Sequence, residues 1–166
     1  MVENKLDFVP VVPETMDALC FVFSKNILPK AKEEYDIMYP GNEPTVEKVK
    51  KAVKTLQDAF FVMFGGDILG IIGRKKIEQN GMVISCLFAS TTHSIEKYVK
   101  QYYIAAKRFV YNMSKDSDIL VFSLPEDFER SRAIIRKLGF TKISIDEING
   151  RKIITKILRC NHGVDR

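Results

Sequence analysis

The stretch from Met82 to Met113 constrains the fold more than any other part of the sequence, because its hydrophobic period changes once along its length. Met82–Ala89 is mostly apolar and predicts a buried strand, and Ser90–Ser94 is a short polar turn. From Ile95 to Met113 apolar residues recur at steps of three and four, which predicts one long amphipathic helix. A strand that runs directly into a helix N-terminus presents unpaired backbone N–H groups to one point, which suits a phosphate or another anion. The alternative is that this stretch is simply the central strand and helix of an α/β core.

Two polar residues mark the expected start of this helix. Ser94 lies at the expected N-cap position of the helix. Glu96 lies in its first turn, where a negative charge interacts favourably with the positive end of the helix dipole. Phe109 lies well inside the apolar stripe, so we expect it to be among the most buried residues.

The chain length suits one domain with its own core. The 166 residues are too few for two comfortable domains. We therefore expect a single domain over residues 1–160 and a polar tail over 161–166. No apolar run approaches the roughly 20 residues that span a bilayer, and the first residues lack a signal-peptide pattern. We expect no membrane partner and a cytoplasmic location.

The cysteines and histidines favour neither a disulfide framework nor a metal site. Cys20, Cys86 and Cys160 are far apart, and the first two lie in apolar runs, which is typical of buried thiols in a reducing compartment. His93 and His162 have no paired Cys or His spacing, so no metal is expected.

The net charge of +5 is mild, and the basic residues are spread along the chain. They adjoin apolar positions in a predicted helix around Lys48 and a predicted strand around Arg74, which favours solvated faces. Exposed aromatics beside a basic stripe would indicate nucleic-acid binding, and the pattern does not contain them. An acidic ligand or partner fits the charge balance as well.

The order of predicted elements indicates one α+β domain. Hairpin turns are expected at Gly65-Gly66, Asn80-Gly81 and Asn149-Gly150. These elements predict a mixed, largely antiparallel sheet of about seven strands with helices on both faces. In order the elements are a strand at Leu6–Val12, helices from Pro13 to Leu56, strands at Ala59–Phe64, Ile68–Ile77 and Met82–Ala89, the Ile95–Met113 helix, a strand at Asp118–Leu124, a helix at Pro125–Leu138, and strands at Phe140–Ile148 and Arg151–Leu158.

Nearly the whole chain, from Leu6 to Leu158, resembles the GNAT superfamily of N-acetyltransferases. Glu129 to Phe140 reads ERSRAIIRKLGF and is similar to that family's last helix, which typically closes as "A…YEKLGF" before a hairpin strand. Val11 to Asp17 likewise resembles the family's first strand and helix start. The resemblance implies the GNAT fold. The predicted order of elements makes the Met82–Ala89 and Asp118–Leu124 strands parallel neighbours joined by a helix, so a site is expected in the crevice where they diverge beside the helix N-terminus.

In that family the central turn carries Q/R-x-x-G-x-G/A, whose backbone N–H groups hold the pyrophosphate of acetyl-CoA. The matching segment here, Ser90 to Tyr98, contains no glycine, so side chains enter the phosphate site and Glu96 adds negative charge. Weak or absent acetyl-CoA binding is therefore expected. The cofactor-binding residues that the resemblance implies are Phe88, Ser90, Ser94, Ile95, Glu96 and Arg132.

The resemblance gives only partial support for catalysis. The family's general acid, a Tyr four residues before the glycine of the last helix, corresponds to Ile135, which has no proton to donate. Candidate catalytic residues are His93, Glu78 and Ser123. His93 has a suitable intrinsic pKa, although a lone His at a helix start is more often a capping or surface residue. Ser123, with Glu126, is equally consistent with an ordinary helix entry.

Two functional hypotheses follow. In the first, the protein is a divergent GNAT-fold protein with weak or lost acetyltransferase activity that serves as a binding or structural part, virion-associated if the chain is phage-encoded. In the second, it is an active acetyl-CoA-dependent N-acetyltransferase acting on an amine. The partner is accordingly another protein or a small amine, and oligomerisation is left open.

Overall fold

The computed structural model describes residues 4–161, which form two compact units. The first unit comprises residues 4–75 and 88–105, and the second comprises residues 76–87 and 106–161. The expectation of one domain over residues 1–160 stays a prediction. Residues 162–166 of the predicted polar tail lie outside the described residues.

Seven strands form one sheet in the order β1-β2-β3-β4-β5-β7-β6, which confirms the predicted α+β fold with a mixed, largely antiparallel sheet. None of the described helices is long and apolar enough to cross a membrane. The strands are β1 Leu6–Pro10, β2 Asp58–Phe64, β3 Asp67–Gln79, β4 Met82–Thr91, β5 Ile119–Pro125, β6 Thr141–Ile148 and β7 Arg151–Arg159. The helices are α1 Pro13–Asn26, α2 Pro29–Met38, α3 Thr45–Lys54, α4 Val99–Ser114 and α5 Glu129–Lys137, with a 3-10 turn at His93–Glu96.

In the first unit, β1 pairs antiparallel with β2, and β2 with β3. The predicted turn at Gly65-Gly66 is confirmed, since both glycines adopt positive φ, of 58° and 87°. Helices α1, α2 and α3 supply the apolar residues that pack with these strands. The fully buried residues of this core include Cys20, Phe23, Tyr35, Val49, Phe61 and Ile71.

In the second unit, β5 is the parallel neighbour of β4 and the antiparallel neighbour of β7. The predicted Asn149-Gly150 turn closes the β6–β7 hairpin with φ of 51° and 78°, because an Asn-Gly pair tolerates two positive φ values in sequence. Buried residues of this core are Leu120, Leu124, Phe128, Ile135 and Phe140.

Two predicted helix starts are wrong by four residues each. The long helix begins at Val99 instead of Ile95, because a separate 3-10 turn precedes it. The last helix begins at Glu129 instead of Pro125, because Pro125 still belongs to β5, where it pairs with Ile153. Pro125 is therefore part of the strand, although it was predicted as the first residue of the helix.

The interpretation of the basic residues on the predicted helix around Lys48 and the predicted strand around Arg74 as solvated is also wrong at two positions. Lys48 is 3% exposed, and its Nζ lies 2.8 Å from Asp36 Oδ1. Arg74 is 7% exposed, and its Nε lies 2.6 Å from Asp58 Oδ2. Each buried cation has a carboxylate beside it, which offsets the cost of removing the charge from water.

Candidate functional site

Thr92 organises the end of β4 in the first unit. Its peptide N–H donates to the Leu69 carbonyl at 3.0 Å, and its Oγ1 donates to the Ile68 carbonyl at 2.6 Å. The same Oγ1 accepts from the peptide N–H of Ser94 at 3.2 Å. Thr92 is therefore the capping residue of the turn, and the prediction that Ser94 is the N-cap is wrong. The Thr92 side chain is fully buried.

The opposite side of this strand end is engaged by the connection between α1 and α2. The peptide N–H of Leu28 donates to the Thr91 carbonyl at 3.2 Å, and Ile27 forms an antiparallel bridge with Thr92. Because neighbouring residues of a strand point their backbone groups to opposite sides, both sides of Thr91–Thr92 are occupied by protein.

The backbone N–H groups of the turn are mostly bonded within it. Ile95 N–H donates to the Thr92 carbonyl at 3.2 Å, and the N–H groups of Lys97 and Tyr98 donate to the Ser94 carbonyl at 3.2 and 3.1 Å. With the Ser94 N–H on Thr92 Oγ1, four donors of the segment are satisfied internally. The first N–H groups of an α-helix have no acceptor within the helix. In α4 these groups begin at Val99.

The side chains of the turn point to different environments. Ile95 is 2% exposed and anchors the turn in the protein interior. His93 and Glu96 are exposed, and Ser94 is half-buried. An exposed imidazole and an exposed carboxylate on one short turn are accessible to a ligand, but no hydrogen bond orients them within the described chain.

The other two predicted cofactor residues of the first unit are part of its interior. Phe88 packs against the first unit's core, with its ring centroid 6.2 Å from that of Tyr35. Ser90 is 3% exposed, and its hydroxyl lies beside that of Tyr35 in the interior. Burial raises the pKa of Tyr35 well above its ordinary value. These two hydroxyls are enclosed, so a ligand in solution does not reach them in this conformation.

The remaining predicted site residues belong to the second unit. Glu78 is exposed near the end of β3. Ser123 Oγ lies 3.1 Å from Thr155 Oγ1, across the β5–β7 pair. Arg132 donates from Nη1 to the Glu126 carbonyl at 2.9 Å and so holds the start of α5. The roles proposed for all of these site residues stay predictions.

Two residues important for this strand end were not predicted from the sequence: Thr92 and the glycine that lets its strand approach β3. A Cβ built on Gly70 would overlap the Ser90 carbonyl oxygen and would lie 3.2 Å from Tyr102 Cε2. Only glycine fits there. An isolated glycine inside a strand indicates such a close backbone approach, and this signal was present in the sequence.

The resemblance assigns this turn to the pyrophosphate of acetyl-CoA, and four N–H groups of the segment are already hydrogen-bonded within the protein. The N–H groups of Ser94, Ile95, Lys97 and Tyr98 already have acceptors, and Glu96 places a carboxylate beside them. Among residues 4–161, no group of three or more His, Cys, Asp or Glu side chains is arranged to hold a metal ion.

The parallel pairing of β4 with β5 runs from Ile84↔Ile119 to Leu87↔Phe122, and β4 continues to Thr91. The expected crevice requires these two parallel strands to diverge beyond their paired residues. The crevice itself stays a prediction.

Several solved structures with a similar fold are acetyltransferases. The ribosomal α-N-protein acetyltransferase RimL in complex with coenzyme A matches with a TM-score of 0.68 and 14% identity over 96% of each chain. An acetyltransferase from Thermus thermophilus matches with a TM-score of 0.66 and 16% identity over 96% of this chain and 99% of its own. A probable acetyltransferase of the GNAT family from Chromobacterium violaceum matches with a TM-score of 0.65 and 12% identity over 93% of this chain and 87% of its own.

No protein-family model and no curated protein matches the sequence. At identities of 12 to 16%, similarity to solved structures establishes the fold alone. The chain has the fold of the GNAT N-acetyltransferases.

Proposed function

We propose that this GNAT-fold protein binds acetyl-CoA weakly or not at all and acts as a binding or structural protein. The observation that carries the proposal is the internal bonding of the Ser94, Ile95, Lys97 and Tyr98 N–H groups. A pyrophosphate at this turn has to displace those bonds or go without them. Each unmet group costs about 1–3 kcal/mol, and two of them weaken binding by about two or more orders of magnitude.

The charge of the turn acts in the same direction. Glu96 is exposed, and its carboxylate repels a pyrophosphate by about 1 kcal/mol when partly shielded from water. Lys97 attracts an anion, but its ammonium lies 4.8 Å from the Tyr98 ring centroid, and the hydrogen bond to Tyr98 raises its pKa. The Lys97 ammonium therefore already interacts with Tyr98 and is less available to an anion.

Calorimetric titration of the full chain with acetyl-CoA tests the proposal. We expect a dissociation constant weaker than about 100 μM. The Glu96→Gln variant removes only the charge, and Ser94→Gly with Glu96→Gly also opens the backbone. If the side chains are the obstacle, the double glycine variant binds more tightly than Glu96→Gln, which in turn binds more tightly than the unmodified protein. A micromolar constant for the unmodified protein contradicts the proposal.

An active acetyl-CoA-dependent N-acetyltransferase is the second candidate, and the shared fold with an acetyltransferase solved in complex with coenzyme A supports it. The exposed imidazole of His93 would then accept the proton of an amine substrate. Acetyl transfer to an amine that disappears in His93→Ala, while Glu78→Gln and Ser123→Ala retain it, would establish this candidate with His93 as the base.

A further inference from the structure

The last turns of α4 expose a surface that is both basic and aromatic. Tyr111 is 64% exposed, whereas Phe109, two residues earlier, is 5% exposed. Lys115 directly follows the helix, and its N–H donates to the Asn112 carbonyl at 3.3 Å, which continues the last turn. The exposed side of this segment, called here the α4 basic surface, consists of Lys107, Arg108, Tyr111, Asn112 and Lys115.

Helical spacing places these side chains close together. At 3.6 residues per turn they occupy about 140° of the helix circumference and about 12 Å of its length. Lys107 and Lys115 are each one turn from Tyr111, in opposite directions along the helix. Lys115 Nζ lies 4.6 Å from the centroid of the Tyr111 ring and 3.4 Å from Asn112 Oδ1. The cation covers one face of the exposed ring, so the other face is open to a flat ligand.

The cations of this surface are not neutralised by carboxylates. α4 contains no Asp or Glu. In the described part of the chain, Lys107, Arg108 and Lys115 form no ion pair. The lysines of α3 differ, because three of them lie 2.8, 2.9 and 2.6 Å from a carboxylate oxygen: Lys48, Lys50 and Lys51.

The carboxylate that follows this surface in the sequence has a cation of its own. Asp116 Oδ2 lies 3.0 Å from Lys76 Nζ on β3. Because Asp116 and Lys76 balance each other's charge, the α4 basic surface retains its three positive charges. These charges are in contact with solvent, so the surface presents a positive potential that attracts polyanions.

An exposed aromatic ring beside basic side chains indicates nucleic-acid binding, and the sequence pattern alone did not identify one. Single-stranded nucleic acid matches both features, because its phosphates attract the cations and its unpaired bases stack on an open ring. An acidic peptide would use only the cations. A membrane-binding helix has a broad apolar side, whereas Tyr111 is the single aromatic residue among four polar side chains.

We propose that the α4 basic surface binds single-stranded nucleic acid. A base stacks on the open face of Tyr111, and the phosphates on either side of it lie against Lys107 and Arg108 in one direction and Lys115 in the other. Guanidinium and ammonium groups are the side-chain groups that proteins use to hold phosphate oxygens. DNA and RNA share this chemistry. Such binding goes beyond the proposed function and does not depend on acetyl-CoA.

Fluorescence anisotropy of the full chain tests the site. The probes are fluorescein-labelled oligo(dT) and oligo(U) of about 12 nucleotides, together with the duplex of oligo(dT) and oligo(dA) of the same length. Each probe is titrated at several sodium chloride concentrations. Tyr111→Ala removes the ring, Tyr111→Phe keeps it, and the double variant Lys107→Gln/Arg108→Gln removes two cations.

The double variant Arg136→Gln/Lys137→Gln is the matched control. These two residues are an adjacent, exposed arginine and lysine on α5 of the same unit, so the net charge changes equally. The aromatic residues that flank α5 are Phe128 and Phe140, which are 9% and 4% exposed. The control pair therefore has no open ring beside it.

We expect both single strands to bind more tightly than the duplex, whose base faces are covered by neighbouring bases. Tyr111→Ala should weaken single-strand binding by at least about fivefold, and Tyr111→Phe should retain it, because stacking does not require the hydroxyl. Lys107→Gln/Arg108→Gln should lower the dependence of log Kd on log salt by about 1.4, from about 0.7 for each lost phosphate contact. The control should keep the affinity and the salt dependence of the unmodified protein.

The two single strands distinguish the kind of nucleic acid. Tighter binding of oligo(U) identifies RNA through its 2′-hydroxyls, tighter binding of oligo(dT) identifies DNA, and equal affinities identify a site for both. Absence of binding, equal affinities for duplex and single strands, or equal losses in the two double variants contradict the proposal. Displacement of oligo(dT) by polyglutamate at the same charge concentration would instead identify a surface for an acidic protein.

Discussion

The hydroxyl of Thr92 donates a 2.6 Å hydrogen bond to the carbonyl oxygen of Ile68. This bond joins the end of β4 to β3, and the same oxygen caps the 3-10 turn by accepting from Ser94. One buried hydroxyl therefore determines both where the strand ends and where the turn starts. The position of His93 and Glu96 on the surface depends on it.

Replacing Thr92 with valine should destabilise the protein by about 1–3 kcal/mol, because the Ile68 carbonyl and the Ser94 N–H lose their partner while the volume is kept. Thr92→Ser keeps the hydroxyl and should recover most of the loss. Thr91→Val is the matched control, since the Thr91 contacts described above are made by its backbone. Urea unfolding measures the three variants, and equal midpoints for Thr92→Val and Thr91→Val would refute the role of the hydroxyl.

Phe109 is 5% exposed, which confirms the sequence-based expectation that it is buried. Phe109→Ala should cost about 3–5 kcal/mol, since it removes a large apolar side chain and leaves a cavity. Tyr111 lies two residues further along the same helix and is 64% exposed, so Tyr111→Ala should change stability by less than about 0.5 kcal/mol. Chemical denaturation compares the two, and a loss below about 1 kcal/mol for Phe109→Ala would count against the assigned helix face.

The pair of Lys48 and Asp36 predicts an asymmetric response to mutation. Lys48 is 3% exposed, and its ammonium also donates to the Gly41 carbonyl at 3.0 Å, whereas the Asp36 side chain is 45% exposed. Asp36→Ala leaves a buried cation with one neutral acceptor and should cost about 1–3 kcal/mol. This is less than the loss of a fully buried partner costs, because Asp36 is half in water.

Lys48→Met removes the buried charge itself and leaves a solvated carboxylate, so its cost should stay below about 1 kcal/mol. In the double variant the Asp36→Ala penalty should disappear, which a double-mutant cycle measures directly. Additive losses would mean that the two side chains do not interact.

Local patterns were sufficient to predict the fold, but not the contacts around the site. The Asn149-Gly150 hairpin and the apolar stripe that contains Phe109 are encoded by adjacent residues, and the structure contains both. The choice of Thr92 over Ser94 as the cap depends on the Ile68 carbonyl, which is distant in sequence. Several neighbouring hydroxyls are chemically equivalent as caps, so only the tertiary contact distinguishes them.

The contacts of the basic residues also could not be predicted from local sequence patterns. Lys48 lies on a helix with other lysines, and the sequence pattern alone does not distinguish the one that faces Asp36. The position of Lys156 depends on the pairing of β7 with both β5 and β6, since that pairing places it opposite Lys142. Such clusters arise from strand order, which a single sequence does not specify.

Cys20 should make the stability of the protein fall at alkaline pH. It is fully buried, and burial raises the pKa of its thiol to about 11 from an ordinary value near 9.0. Between these values the unfolded chain has lost the proton and the folded chain retains it, so the unfolded state binds fewer protons and stability decreases as pH rises. Each pKa unit corresponds to about 1.4 kcal/mol, so the loss across the window reaches about 2 kcal/mol.

The interval from pH 8.5 to 10 restricts the effect to the thiols of Cys20 and Cys160, since burial raises the pKa of Cys160 as well. Burial also raises the pKa values of Tyr35 and Tyr102, but these groups contribute only above about pH 10. Cys20→Ala should have a flatter pH dependence in urea unfolding, apart from its lower stability at neutral pH. Val53→Ala makes a comparable cavity in the same core and keeps the thiol, so it should retain the slope of the unmodified protein. If Cys20→Ala and Val53→Ala lose stability in parallel as pH rises, the Cys20 thiol does not account for the alkaline decline.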